Sequence, residues 1–110
     1  MSRTRAEILE SRRRLRAEYG ALFDTVSTLL YRHDPIGINF EVNTGEYDLE
    51  AETILPRLRT CRTEEDVHKV VYAEFVRWFD ADNAGSPDRY KDIASEIWQL
   101  WLEKYPSSIS

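Results

Sequence analysis

The sequence has one cysteine, four glycines, four prolines and no long apolar run. Cys61 alone forms no intrachain disulfide, which is typical of proteins kept in a reducing compartment. We therefore expect a cytoplasmic protein. No apolar stretch approaches the length that spans a bilayer, and no apolar signal-peptide segment follows the basic N-terminus. We accordingly expect no membrane partner.

The sequence also lacks the short motifs of common enzyme and metal sites. It contains no phosphate-binding glycine loop, no nucleophile elbow and no paired-histidine zinc motif. Asp80, Asp82 and Gly85 begin a pattern that resembles a calcium loop. Lys91 stands where that loop needs its bidentate acid, which argues against calcium.

Thiol catalysis or zinc binding would depend on Cys61, His33 and His68. Cys61 and His68 lie on either side of a predicted helix boundary, and Cys61 completes an apolar stripe typical of a buried, inert thiol. The three residues are also too few, at these spacings, for a zinc site. We predict that the protein is not an enzyme and has no catalytic residue, no metal and no cofactor.

Charge is distributed unevenly along the chain. Residues 1–16 carry six arginines against two glutamates, a balance of +4, and residues 17–110 carry nine basic and eighteen acidic side chains, a balance of −9. An acidic body repels nucleic acid and attracts basic proteins. This charge argues against a nucleic-acid partner, although Arg12, Arg13 and Arg14 keep open an adaptor role for the arginine-rich first helix.

Apolar spacing predicts four helices. The first covers residues 4–32, with a heptad-like stripe that steps by three and four through Leu15, Tyr19, Leu22, Val26 and Leu29. Gly20 lies inside it. The second helix begins near Gly45 or Glu46 with Thr44 as its cap, and Pro56 should kink or restart it.

The third predicted helix starts at Thr63, whose side chain can cap it, and carries a broad apolar face. Residues 80–85 read as a loop. Ser86 and Pro87 then begin the fourth helix, and Pro106 ends it. The helical spacing points Trp78, Trp98 and Trp101 inward.

The sequence thus predicts one all-α domain over residues 1–110. We expect an antiparallel four-helix bundle with a long first helix and a long connector between the first two helices. Residues 1–14 form a basic helical extension that projects from the core, and residues 107–110 form a frayed tail. Residues 38–42 alternate apolar and polar side chains, but one isolated strand has nothing to pair with.

The connector carries a recognisable sequence motif. Asp34, Pro35 and Gly37 belong to "YRHDPIGI", and Glu46, Tyr47 and Asp48 belong to "GEYDLEAETILPRL". Locally these residues are expected to cap helices and supply turns. Together with a helix ending in "RWF", the motif resembles the YugE-like family of small bacterial α-helical domains, over about residues 22–102. The resemblance implies a compact helical bundle and a bacterial origin, brings no catalytic residues, and suggests an immunity-type role.

The sequence offers an acidic surface as the candidate site. The predicted partner-binding residues are Asp34, Glu41, Glu46, Asp48, Glu50 and Glu52, with Glu64, Glu65 and Asp66 near them in sequence. Such a surface selects basic partners and speeds association, although it also fits a merely solubilising role. We predict a non-catalytic protein-binding module, of immunity or inhibitor type in a bacterial toxin system. The alternatives are a homo-oligomer, in the simplest case a homodimer, that pairs through the heptad stripe, and the nucleic-acid adaptor.

Overall fold

The computed structural model describes residues 4–35, 37 and 47–106. These ranges are all-helical and contain no strand, so the predicted fold class is confirmed. The α-helices are α1 (Arg5–Tyr19), α2 (Leu22–His33), α3 (Asp48–Arg57), α4 (Glu64–Ala84) and α5 (Lys91–Lys104). A 3-10 helix, Leu58–Thr60, follows α3, and another, Pro87–Tyr90, precedes α5. The described helices therefore number five, against the four of the predicted bundle.

The additional helix arises because the predicted long first helix is broken at Gly20. This residue has φ 62° and ψ −138°, a conformation that side-chain-bearing residues rarely adopt. Its amide donates to the Arg16 carbonyl and closes α1, and α2 begins two residues later. The apolar stripe continues across the break, which is why helical spacing alone predicted one helix.

The second predicted helix is shorter than expected. The described part of α3 begins at Asp48, and Pro56 lies in its last turn. Because proline has no amide hydrogen, the α-helical bonding pattern weakens there, and the chain continues as the 3-10 helix Leu58–Thr60. The α-helix thus ends one residue after Pro56, where a kink or a restart was predicted. Thr44, Gly45, the alternating residues 38–42 and the tail 107–110 lie outside the described residues.

The beginning of α4 agrees with the prediction, and its end does not. Thr63 caps the helix, its hydroxyl accepting from the Asp66 amide at 3.1 Å. The predicted loop over residues 80–85 is wrong in its extent, because only Asp80 leaves helical geometry, with φ 70° and ψ 168°. The Asp80 carboxylate accepts from the Asn83 amide at 2.9 Å, so it caps one more helical turn that ends at Gly85.

The core is formed by one contiguous cluster of buried side chains to which all five helices contribute. The helix α4 packs against α3 and α5, and α2 packs against α1, α3 and α5. Phe75 on α4 lies among aromatic rings, 4.9 Å from Tyr90 and 5.9 Å from Tyr47 between ring centroids. None of the described helices combines the length and apolar character that crossing a bilayer requires.

Candidate functional site

The two described ends of the connector between α2 and α3 are joined by a side-chain hydrogen bond. Asp34 is the C-cap of α2, in the left-handed region at φ 45°, and its carboxylate accepts from the Tyr47 hydroxyl at 2.6 Å. Gly37 has φ 77°, as its predicted turn role requires. The Pro35 carbonyl accepts from Arg89 at 2.8 Å, which ties the connector to the 3-10 helix before α5. The described motif residues thus make structural contacts inside the chain.

The acids of α3 face the interior. Asp48 is only partly exposed, accepts from the Ser27 hydroxyl of α2 and lies 3.5 Å from Nη1 of Arg12. Glu50 is 3% exposed, and Glu52 is similarly buried with a carboxylate oxygen 3.8 Å from Nε of Arg12. Arg12 of α1 therefore binds the acidic side of α3 instead of projecting into solvent.

The structure thus corrects the prediction of an exposed acidic surface at three of its residues. Glu50 and Glu52 offer almost no accessible carboxylate, and Asp48 is engaged by Ser27 and Arg12. The reason is that α3 packs against α1, α2 and α4. The positions of the acidic residues along α3 therefore do not mark a solvent-exposed side. Asp34 is half-buried against Tyr47. Glu41 and Glu46 lie outside the described residues.

The acids at the start of α4 do reach solvent. Glu64 and Glu65 are exposed in the first turn. Asp66 accepts from the Arg62 amide at 3.0 Å, and hydrogen bonds, chiefly this one, lower the pKa of its carboxyl. The local role of Asp66 is therefore to hold the entry to α4.

The heptad stripe proposed for self-association is covered within one chain. The five residues from Leu15 to Leu29 that form it are all buried in the common core. The exposed apolar side chain left on α1 is Leu9. Pairing of two copies through this stripe would require α1 and α2 to leave the core, which disfavours the predicted oligomer.

The arginines of the first helix are largely compensated by acids. Arg13 and Arg14 both lie 3.6 Å from the same carboxylate, that of Glu10, and Arg16 lies 3.1 Å from Asp24. With Arg12 turned towards α3, the exposed face of α1 is weaker as a phosphate-binding surface than the sequence alone indicates.

The thiol and the two histidines do not come together. Cys61 is buried, and burial raises the pKa of its thiol, which keeps it protonated. His68 contacts the Pro87 carbonyl at 2.7 Å, and His33 pairs with Glu96. No cluster of three metal-binding side chains occurs in the part of the chain that the structure describes.

A surface that the sequence did not indicate lies where α3 meets α4. We call it the Trp78 face and define it by Thr53 and Arg57 on α3 and by Glu74, Arg77 and Trp78 on α4. Trp78 is 40% exposed, whereas Trp98 and Trp101 are buried. The prediction that all three tryptophans point inward is therefore wrong for Trp78.

Two cross-helix contacts build the Trp78 face. The Trp78 indole donates to the Thr53 hydroxyl at 3.1 Å, and Arg57 donates through Nη1 to the Glu74 carboxylate at 2.7 Å. The partners are spaced by four residues on both helices, so the two members of each pair on one helix are neighbours, and their order is opposite on α3 and α4, as antiparallel packing requires. Side chains one turn apart on each helix thus form a fixed group of four.

Glu74 anchors a second arginine from its own helix. Nη1 of Arg77 lies 3.6 Å from the other carboxylate oxygen. The Glu74 side chain is 4% exposed, whereas those of Arg57 and Arg77 are 47% and 70% exposed. The acid is therefore buried while its two partners are exposed, and the face presents two guanidinium groups and an indole ring to solvent.

One feature of the sequence, a glutamate at a core position, could have indicated part of this face. Glu74 falls on the apolar face of α4, one turn after Val70 and Val71 and beside Phe75. A charged residue at a core position usually needs a charged partner on a neighbouring element. The position of Glu74 therefore predicts an ion pair, but it identifies neither Arg57 as the partner nor Trp78 as exposed.

Comparison with protein-family models, with curated proteins and with solved structures finds no match to this chain. The resemblance to the YugE-like family therefore stays a prediction based on the connector motif.

Proposed function

We propose that this chain is a non-catalytic protein-binding module and that its partner docks on the Trp78 face. The observation that carries the proposal is a tryptophan that is 40% exposed yet held in place by a hydrogen bond to Thr53. Tryptophan and arginine are the residue types most enriched among those that dominate binding energy. Here one tryptophan and two arginines share a small surface.

The fixed geometry of the face supports binding because its side chains lose little conformational freedom when a partner docks. Immobilising a mobile side chain costs about 0.5–1.5 kcal/mol on association. Thr53 already orients the Trp78 ring, and Glu74 already orients Arg57 through a hydrogen bond of 2.7 Å, while Arg77 lies near the same carboxylate at 3.6 Å. A partner therefore recovers more of the contact energy than it would from free side chains.

The proposal includes an immunity- or inhibitor-type role in the bacterial cytoplasm. This part rests on the lone cysteine and the family resemblance. Glu50 and Glu52 do not hold a basic partner in this role, because both side chains are buried.

Capture experiments test the proposal. The tagged chain and its Trp78→Ala variant are used to retain proteins from a lysate of the source organism, at low and high salt, with quantitative mass spectrometry. We expect at least one protein whose recovery falls by about tenfold or more with Trp78→Ala, as for a central binding residue. The retained protein is then purified and titrated against both forms.

Leu9→Ala is the matched control, because Leu9 is the other large exposed apolar side chain that the structure describes. It should leave the capture unchanged, and circular dichroism should show that both variants keep their helical content. If every retained protein is recovered equally by the Trp78→Ala variant, the Trp78 face is not the docking site.

A further inference from the structure

We infer that the Trp78 face binds an acidic polypeptide segment, with carboxylates on Arg57 and Arg77 and an apolar side chain against the Trp78 ring. The inference rests on the proposed function and adds the chemistry of the partner. It also reverses the preference for a basic partner that the overall charge of the chain predicted.

The charge of the face supports an anionic ligand. Two guanidinium groups share one carboxylate, so the group as a whole carries one positive charge. Because Glu74 is buried while Arg57 and Arg77 are exposed, a ligand in solvent reaches the two guanidinium groups and not the carboxylate. A basic segment would face the two exposed guanidinium groups here, and such juxtaposition of like charges is unfavourable.

The arginines retain donors for a ligand. Arg57 donates to Glu74 through Nη1, and Nη1 of Arg77 lies 3.6 Å from the same carboxylate; the hydrogen bonds found among the described residues include no other acceptor for either guanidinium. The remaining N–H groups form the planar fork that matches a carboxylate. Each arginine can therefore hold Glu74 and a ligand carboxylate at once.

A polypeptide fits the face better than a nucleic acid does. Affinity for nucleic acid depends on neutralising many phosphates, and the Trp78 face supplies two cations on a body of balance −9. A peptide carboxylate needs only local pairing, and at physiological salt the acidic residues further than about 8 Å away are largely screened. The indole adds an apolar contact that an acidic segment with one apolar side chain can use.

The direct test selects peptides without assuming a partner. Random dodecapeptides displayed on phage are panned on the immobilised chain, with counter-selection on the Trp78→Ala variant. We expect Trp78-dependent peptides with a surplus of aspartate and glutamate around an apolar residue. One of them is synthesised and titrated by calorimetry against the chain and its variants.

Matched charge variants isolate the role of the arginines. Arg77→Gln should weaken the peptide roughly tenfold, as loss of a charge-assisted pair does, and Arg57→Gln should act in the same direction. Arg77→Gln should disturb folding less than Arg57→Gln, because Arg77 is more exposed and its contact with Glu74 is longer. The control is Arg13→Gln, which removes the same charge from an arginine 79% exposed that also shares one carboxylate, and it should leave the affinity unchanged.

The outcomes separate the two proposals. Trp78-dependent peptides without an acidic surplus, or peptides indifferent to Arg77→Gln and Arg57→Gln, overturn the acidic partner and leave the protein-binding function standing. Tighter binding of fluorescent oligothymidine than of any selected peptide, lost in Trp78→Ala, overturns the choice of a polypeptide. If neither peptides nor captured proteins depend on Trp78, the proposed function fails together with the inference.

Discussion

At the scale of single residues, the number of acidic side chains does not show how many of them are exposed. Glu50, Glu52 and Glu74 are buried, although glutamate rarely is. Glu74 and Glu52 each lie near an arginine from another helix, so their charges connect elements. An acidic composition is therefore not equivalent to an acidic surface.

The anchoring role of Glu74 can be tested by Glu74→Gln. The change keeps the shape of the side chain but removes the charge that holds Arg57 and Arg77. Since solvent reaches both arginines, we expect a loss of only about 1–2 kcal/mol in the free energy of unfolding, measured with urea. Glu64→Gln, at an exposed position of the same helix, should change stability by less than about 0.5 kcal/mol. Equal effects of the two changes would contradict the anchoring role.

At the scale of helices, the sequence predicted where a helix begins better than where a helix is interrupted. The start of α4 was predicted to the residue, because a threonine before three acids is a signal contained in four neighbouring positions. The break at Gly20 was missed because the apolar stripe continues across it in register. Asp80 was predicted to lie in a loop, but its own carboxylate starts another helical turn. Where a helix is interrupted depends on how the following helix packs, and the spacing of apolar residues carries no information about that packing.

Gly20→Ala tests whether the break is real. At φ 62° and ψ −138° an alanine is strained, and the change should lower the free energy of unfolding by about 1–3 kcal/mol. Crowding adds little, since the nearest atom to the new Cβ is the flexible Lys104 ammonium at 3.5 Å. Thr28→Ala, at an exposed position of α2, is the helix control and should have a small effect. A stabilised Gly20→Ala chain would mean that α1 and α2 form one helix, as the sequence first predicted.

At the scale of the whole molecule, the exposed site was the least predictable part. Periodicity gave α4 a wide apolar face, and it identified Phe75 and Val71 correctly as core. Whether Trp78 at the margin of that face is covered depends on the length of α3 and on the small side chain of Thr53 opposite. The acids of α3 were misplaced for the related reason that three helices enclose it. Exposure is a property of the assembled helices, so a single-helix pattern gives it only approximately.

Stability of the assembled core should fall in strongly alkaline solution. Burial is the main cause that raises the pKa of Tyr90 to about 12, against an ordinary value of 10.0, with a smaller opposing effect of Arg89. Burial also raises the pKa of Tyr19. A raised pKa means that the folded state keeps the proton, so this stability is complete below about pH 10 and is lost as pH rises towards 12.

Urea unfolding across this pH window checks the expectation. Tyr90→Phe should lower stability at neutral pH, because the Tyr90 hydroxyl donates to the Ala84 carbonyl, and should make the alkaline decline shallower. Parallel declines of the two chains would show that Tyr90 ionises freely in the folded state.

The contrast between one exposed and two buried tryptophans gives the molecule an internal optical reporter. Indole emission shifts to longer wavelength in water, so the red side of the emission band belongs mainly to Trp78. A dissolved collisional quencher such as iodide should reduce that component first. Any molecule that covers the Trp78 face should shift the band towards the blue and protect it from the quencher. Occupancy can then be followed on the unlabelled chain, and the Trp78→Ala chain supplies the baseline.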